Sequence, residues 1–225
     1  MQNIKAILFD YDNTLSNRYA SAYGTFDEML SEFHPELAKN SIYREALLQD
    51  LMTFDQFGNV ATEYCLERLR KKHHVDIPLQ DPYHWWTYHH PNHATIWEDT
   101  IPTLEELRKR GYRLGILSNG NSEGQRLKIE RSANLQDFFE MILISGDVGI
   151  HKPDIRIFQL AAEKMGLKPE ECAYVGDTYG NDILGAHNAG MLPIWMWVDD
   201  VSRPMQADVL RIRKMSDLLS IFEEK

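Results

Sequence analysis

The chain has 225 residues, 43% hydrophobic and 26% charged, which suits one large α/β domain or a domain with a smaller insertion and excludes a disordered or fibrous protein. A formal charge of -10 without any long lysine or arginine run excludes a nucleic acid polymer as the natural partner, so an anionic ligand must be held by a metal ion, one placed lysine or backbone N–H groups. Only Cys65 and Cys172 are present, without CxxC spacing, which excludes a disulfide framework or zinc ribbon and fits a reducing cytoplasm.

The first predicted strand, Ile4 to Phe9, is too short and too weakly flanked for a signal peptide or a membrane span. From about Ser16 to Asn92 the apolar residues take helical spacing (Tyr19, Tyr23, Phe26, Met29, Leu30, Phe33, then Tyr43, Ala46, Leu47) and no strand-like run intervenes. This predicts a helical insert over 16–92 between two parts of a catalytic core, 1–15 and 93–225. Following the first strand directly, it leaves the carboxyl edge of the sheet, where ligands of open α/β folds bind, and is expected to form a lid.

Strand and helix then alternate. A helix from Thr103 to Arg110 stops at Gly111 and precedes a strand from Arg113 to Ser118. A helix from Ser122 to about Ala133, with Ser122 and Gln125 spaced as a capping box, precedes a strand from Met141 to Ser145. Helices from Asp154 to Met165 and Asn181 to Ala189 each stop at a glycine and flank a strand from Cys172 to Val175, and a last strand runs from Pro193 to Val198. The pattern predicts an α/β, doubly wound, Rossmann-like parallel sheet.

Asp10-Tyr11-Asp12-Asn13-Thr14 follows the first strand, so two carboxylates can face one crevice, at a cost unless they share a cation. The plainer alternative is a pair of acidic turn caps. Later strand ends carry Ser118-Asn119-Gly120, Lys152-Pro153-Asp154, and Gly176-Asp177 with Asp182 beyond. In order and position these resemble the four motifs of the haloacid dehalogenase superfamily over almost the whole chain: Ile7 to Thr14, Ser118, Lys152, and Gly176 to Asp182.

The resemblance implies a Mg2+-dependent phosphohydrolase acting on a phosphorylated small molecule, and the chemistry gives each residue a reason. Phosphoryl transfer from a monoester needs an in-line nucleophile, neutralised phosphoryl oxygens and a proton for the leaving alkoxide. Asp10 is the expected nucleophile, forming an acyl-phosphate that water cleaves. Asp10, the backbone carbonyl of Asp12, and Asp177 are the expected Mg2+ ligands. Lys152 adds positive charge, while Thr14, Ser118 and the N–H of Asn119 donate to the phosphoryl oxygens. Asp182 supports, through outer-sphere metal contacts or by holding the lysine. Asp12 is expected to act as general acid and then base, with neighbouring carboxylates favouring its protonated form. An aspartate there also argues for phosphate chemistry over carbon–halogen cleavage, since the superfamily's dehalogenases lack it.

The segment from Ser118 through Gln125, Arg126, Lys128, Ile129 and Glu130 to Asp154 looks like the nucleoside monophosphatase branch of the superfamily. A sugar-phosphate phosphatase, a phosphomutase and a non-catalytic phosphometabolite-binding module stay open, as does the oligomeric state. His73, His74, His84, His89, His90 and His93 match no zinc spacing and are expected to be solvated in a polar linker. Trp85, Trp86, Tyr88 and Trp97 are expected to pack, with stacking on a nucleobase as the functional alternative.

Overall fold

The short apolar runs leave little polar surface for solvent, and in the computed structural model, which describes residues 3–197 and 208–223, all but the last of them form strands buried on both faces. In chain order the elements are β1 (Ala6–Phe9), α1 (Arg18–Phe33), α2 (Ser41–Asp55), α3 (Thr62–His73), α4 (Pro82–His89), α5 (Thr100–Lys109), β2 (Arg113–Ser118), α6 (Ser122–Glu130), β3 (Met141–Ile144), α7 (Ser145–Val148), α8 (Ile155–Lys164), β4 (Cys172–Gly176), α9 (Leu184–Ala189), β5 (Leu192–Met196), β6 (Leu210–Ile212) and α10 (Leu218–Ile221). The described residues divide into two compact units, Met1–Asn17 with Ile96–Lys225, and Arg18–Thr95.

The first unit is the doubly wound α/β domain. Its sheet has the order β3-β2-β1-β4-β5-β6, and every strand pairing is parallel. Strand alternation splits the core in two. Ile7 and Phe9 belong to one cluster with Leu104 and Leu107 of α5 and Leu218 of α10, whereas Ala6 and Leu8 belong to the other with Ile157, Phe158, Ala161 and Ala162 of α8. Because the chain winds outward from β1 to β3 and then returns to β4, β1 lies between strands reached from opposite directions. The crevice at its carboxyl end is where such sheets bind ligands.

Several boundaries differ from the sequence expectation for identifiable reasons. Helix α5 begins at Thr100 instead of Thr103, because Pro102 falls in its first turn, where the missing N–H has no helical partner to lose. The cap of α6 is Asn121, whose side chain accepts from the Gly124 N–H at 2.9 Å, instead of the Ser122 and Gln125 capping box. Ser122 donates to Asp147 at 2.6 Å, Gln125 turns elsewhere, and α6 ends at Glu130. Strand β6, three residues long with two exposed, carried no periodic signal. Val198, the end of the last predicted strand, lies outside the described residues.

The second unit, among the described residues, contains helices and no strand. Phe26, Met29 and Leu30 of α1 pack with Leu47, Leu48 and Leu51 of α2, Leu66 and Leu69 of α3, and Trp85 of α4. Arg18 grips Asp55 through two hydrogen bonds of 2.5 and 2.9 Å. The expectation of solvated histidines holds for His74 and His84, which are exposed, and is overturned for the other four. His89 and His93 bond the two oxygens of Glu28 at 2.8 and 2.6 Å, His90 is buried against the Thr25 hydroxyl at 2.8 Å, and His73 pairs with Asp50. They lie on or beside helices that bring a carboxylate or hydroxyl within reach, which linear spacing did not reveal. The tryptophans pack as expected: Trp85 stacks on His89 with ring centroids 3.9 Å apart, and Trp86 on His90 at 4.7 Å. Among the described residues no helix is long and apolar enough to cross a membrane.

Candidate active site

Strand register assembles the site. Phe9 pairs with Ile116 of β2 and Val175 of β4, so Asp10 leaves β1 one residue beyond the last pair while Ser118 and Asp177 lie two beyond it on the flanking strands. The Asp10 N–H donates to the Val175 carbonyl at 2.9 Å, extending the ladder by one step. After it the chain turns through Asn13 at φ 56°, a left-handed conformation that asparagine tolerates better than most residues.

Carboxylate oxygens of Asp10, Asp177 and Asp182 lie within 4.8 Å of one another. Lys152 supplies the cation, 2.9 Å from Asp10 and 2.7 Å from Asp182, with its side chain only 2% exposed. Asp182 is held from the other side by the Thr178 N–H at 2.9 Å. Room for its carboxyl comes from Gly176, where a β-carbon would run into the Asp182 side chain. That gives the glycine of the Gly176-Asp177 pair a steric reason.

Three carboxylates and one ammonium carry a formal charge of -2 in a largely dry space, and the titration behaviour follows. Burial pushes the Asp10 carboxyl up to about 6, with Lys152 opposing and Asp182 and Asp12 adding to the rise. Burial, then Asp10 and Asp182, push Asp177 up to about 8. For Lys152 burial acts against the charge, but Asp10 and Asp182 outweigh it and hold the ammonium well above its usual range. A hard divalent cation among these oxygens would neutralise the excess, and the all-oxygen donor set suits Mg2+ chemistry.

The other anticipated residues are brought to the same strand ends. Thr14 has a buried hydroxyl with no hydrogen-bond partner among the described residues. Asn119 clamps the Lys152 backbone, its amide donating to the Lys152 carbonyl at 3.0 Å and accepting from the Lys152 N–H at 2.9 Å. Asp12 is the correction. Neighbouring carboxylates were expected to dominate its surroundings, but its side chain lies outside the acidic cluster and meets Lys128 at 2.6 and 2.8 Å and Gln125 at 3.0 Å.

Five residues beyond those anticipated therefore belong to the site. Lys128 and Gln125 reach Asp12 from α6, and their i, i+3 spacing on a predicted helix was the available signal. Tyr174 accepts from Lys152 at 2.9 Å and donates to the Leu117 carbonyl at 2.7 Å. Strand alternation placed it in the core, and nothing in the sequence pointed its hydroxyl at the lysine. Asn13 hydrogen-bonds Asp177. Trp195, read as core edge, donates its indole N–H to the Asp177 carbonyl at 2.7 Å.

Known proteins resemble the chain in sequence and in fold. Residues 4–190 match the haloacid dehalogenase-like hydrolase family. The chain is 34% identical over 201 residues to glyceraldehyde 3-phosphate phosphatase of Methanothermobacter thermautotrophicus, covering 85% of this chain and 84% of that one. It is 41% identical over 119 residues to phosphoserine phosphatase of Thermus thermophilus, covering 53% and 47%. Its fold matches that of the HAD-hydrolase YfnB of Bacillus subtilis, solved with bound magnesium, at a TM-score of 0.76 and 20% identity over 98% of this chain and 99% of that one. With four motifs brought to one sheet edge and a family match spanning most of its length, the chain belongs to the haloacid dehalogenase-like hydrolases and is an enzyme of their phosphatase type.

Proposed function

We propose that the protein is a Mg2+-dependent phosphomonoester hydrolase that takes a small phosphorylated metabolite through an aspartyl-phosphate on Asp10. The observation that carries this reading is the buried cluster of Asp10, Asp177, Asp182 and Lys152 at the end of β1. Asp10 attacks phosphorus, and Lys152 stays within reach of both nucleophile and phosphoryl oxygens. The unpartnered Thr14 hydroxyl, Ser118 and the Asn119 N–H donate to those oxygens. Asp12 serves the leaving oxygen and then the hydrolytic water. Asp10, the Asp12 carbonyl and Asp177 would hold Mg2+, which when bound supplies charge neutralisation between the carboxylate and the incoming phosphate. Both cysteines are buried and free, as suits a reducing cytoplasm.

Relatives named for glyceraldehyde 3-phosphate and phosphoserine make small phosphates the first substrates to test. Nucleoside 5'-monophosphates form the second class, carried by the likeness of the segment from Ser118 to Asp154. Phosphate release from a panel containing both classes and sugar phosphates, with and without Mg2+, decides. Release from at least one member only with Mg2+ is expected. No release from any member would favour the binding-module reading, and phosphate retained on a rearranged product would favour a mutase.

We further propose that residues 16–92 act as a cap that sets substrate identity, because the insert starts directly after the nucleophile loop. Replacing it with the insert of another phosphatase is expected to reorder the substrate panel while the Mg2+ requirement persists. An unchanged ranking would sink this.

Metal binding is expected to depend on pH. Burial pushes the carboxyl of Asp10 up to about 6 and that of Asp177 up to about 8, against about 3.9 when unfolded. The folded protein therefore binds more protons than the unfolded chain between these values, and its metal-free stability falls as pH rises through this window. Mg2+ needs the ionised forms, so its thermal stabilisation is expected to be small near about pH 5 and to grow towards about pH 8. Melting curves with Mg2+ or chelator across that range test this, and a shift independent of pH would contradict it.

A further inference from the structure

We propose that Lys128 and Gln125 are positioning residues of the reaction, holding the Asp12 carboxylate on one face of α6 in the orientation used at the leaving group. This rests on the reading of Asp12 given above.

Lys128 meets both oxygens of Asp12, at 2.8 and 2.6 Å, and its side chain is only 10% exposed. Taking an ammonium that far out of water is unfavourable unless its anion is well placed. The lysine is fixed from a second side. Its nitrogen lies 5.2 Å from the centroid of the Tyr11 ring, and Tyr11, the residue between the two aspartates, bonds Ser132 at 2.8 Å. Ser132 in turn donates to the Lys128 carbonyl at 2.7 Å. The last turn of α6 is thus tied to the nucleophile loop through the same residue whose ammonium holds Asp12.

Gln125, three residues earlier on that face, donates through Nε2 towards Asp12 at 3.0 Å, the Ser118 hydroxyl at 2.9 Å and the Asn119 carbonyl at 3.0 Å. The carboxylate and the carbonyl only accept, so the amide nitrogen, and not its oxygen, belongs there. The two hydrogens of that nitrogen are shared among the three acceptors, and the Ser118 hydroxyl, whose own donation to the Asn119 carbonyl is long at 3.5 Å, can turn its hydrogen to a phosphoryl oxygen. One helix face thereby sets the geometry of a leaving-group residue and a phosphate-binding residue together. An ordinary structural ion pair would stabilise the fold but would not distinguish one leaving group from another.

The test compares p-nitrophenyl phosphate, whose phenolate departs unaided, with glycerol 3-phosphate, whose alkoxide needs a proton. Lys128→Met is expected to lower kcat on glycerol 3-phosphate about tenfold more than on p-nitrophenyl phosphate, with KM little changed for either. Both substrates sample the same folded molecules, so the ratio survives a partial loss of folded protein. Lys128→Arg is expected to recover most of the ratio. Asp12→Asn should show the same selectivity, and adding Lys128→Met to it should change the ratio no further. Equal proportional losses in Lys128→Met while Asp12→Asn discriminates would overturn the role of Lys128 alone. Failure of Asp12→Asn to discriminate would remove the role of Asp12 and this proposal with it.

Discussion

Asp10→Asn and Asp177→Asn are each expected to lower kcat by about a thousandfold or more, with the fold retained. For Asp10 the reason is covalent: an amide oxygen is too weak a nucleophile to form the acyl-phosphate. The fold survives because the substitution removes a buried charge of nearly the same shape, and Lys152 keeps Asp182 at 2.7 Å and the Tyr174 hydroxyl at 2.9 Å. Asp177→Asn should differ in its metal response. Losing one anionic oxygen from the cluster weakens Mg2+ binding, so its residual activity should rise with metal concentration and its melting temperature should respond less to Mg2+ than that of the unaltered protein. Phosphate release and melting curves over a Mg2+ series separate the two. Retention of more than about one percent of turnover by Asp10→Asn would remove the nucleophile assignment.

Lys152→Ala is expected to damage both activity and fold. Asp182 is fully buried, and removing its cation leaves an uncompensated charge, a change that costs about 3–5 kcal/mol. In a protein of this size that corresponds to a drop of about 10 °C in melting temperature. The double variant Lys152→Ala with Asp182→Asn distinguishes the two losses: without the stranded carboxylate stability should recover substantially, whereas turnover should stay low because the charge facing the phosphoryl group is still missing. Recovery of turnover with stability would mean that Lys152 matters only for folding. A drop of less than about 2 °C in the single variant would mean that its neighbours are already neutral.

The α/β class of the fold was legible because it rests on local signals. Hydrophobic runs of strand length alternate with helices stopped at Gly111, Gly166 and Gly190, and each of these glycines adopts a positive φ, as a left-handed stop after a helix requires. The helical spacing over 16–92 likewise has one simple local reading, and the described residues of Arg18–Thr95 form helices and no strand. The candidate residues at strand ends could be named because motif order placed Asp10, Ser118 and Asp177 after runs that could only be strands. Their convergence needed the parallel register of β2, β1 and β4.

What the sequence by itself determined is therefore the class of fold, the strand ends and the charged residues standing on them, all of which follow from periodicity and turn chemistry within a few residues. Tertiary structure decided which charge each of those residues meets. Asp12 is 116 residues from Lys128 along the chain, Lys152 is 22 from Tyr174, and His89 is 61 from Glu28. Each pairing is created by packing one element on another. Electrostatic environment is a sum over neighbours in space, so a carboxylate expected among other carboxylates meets an ammonium, and histidines expected in solvent join two helices.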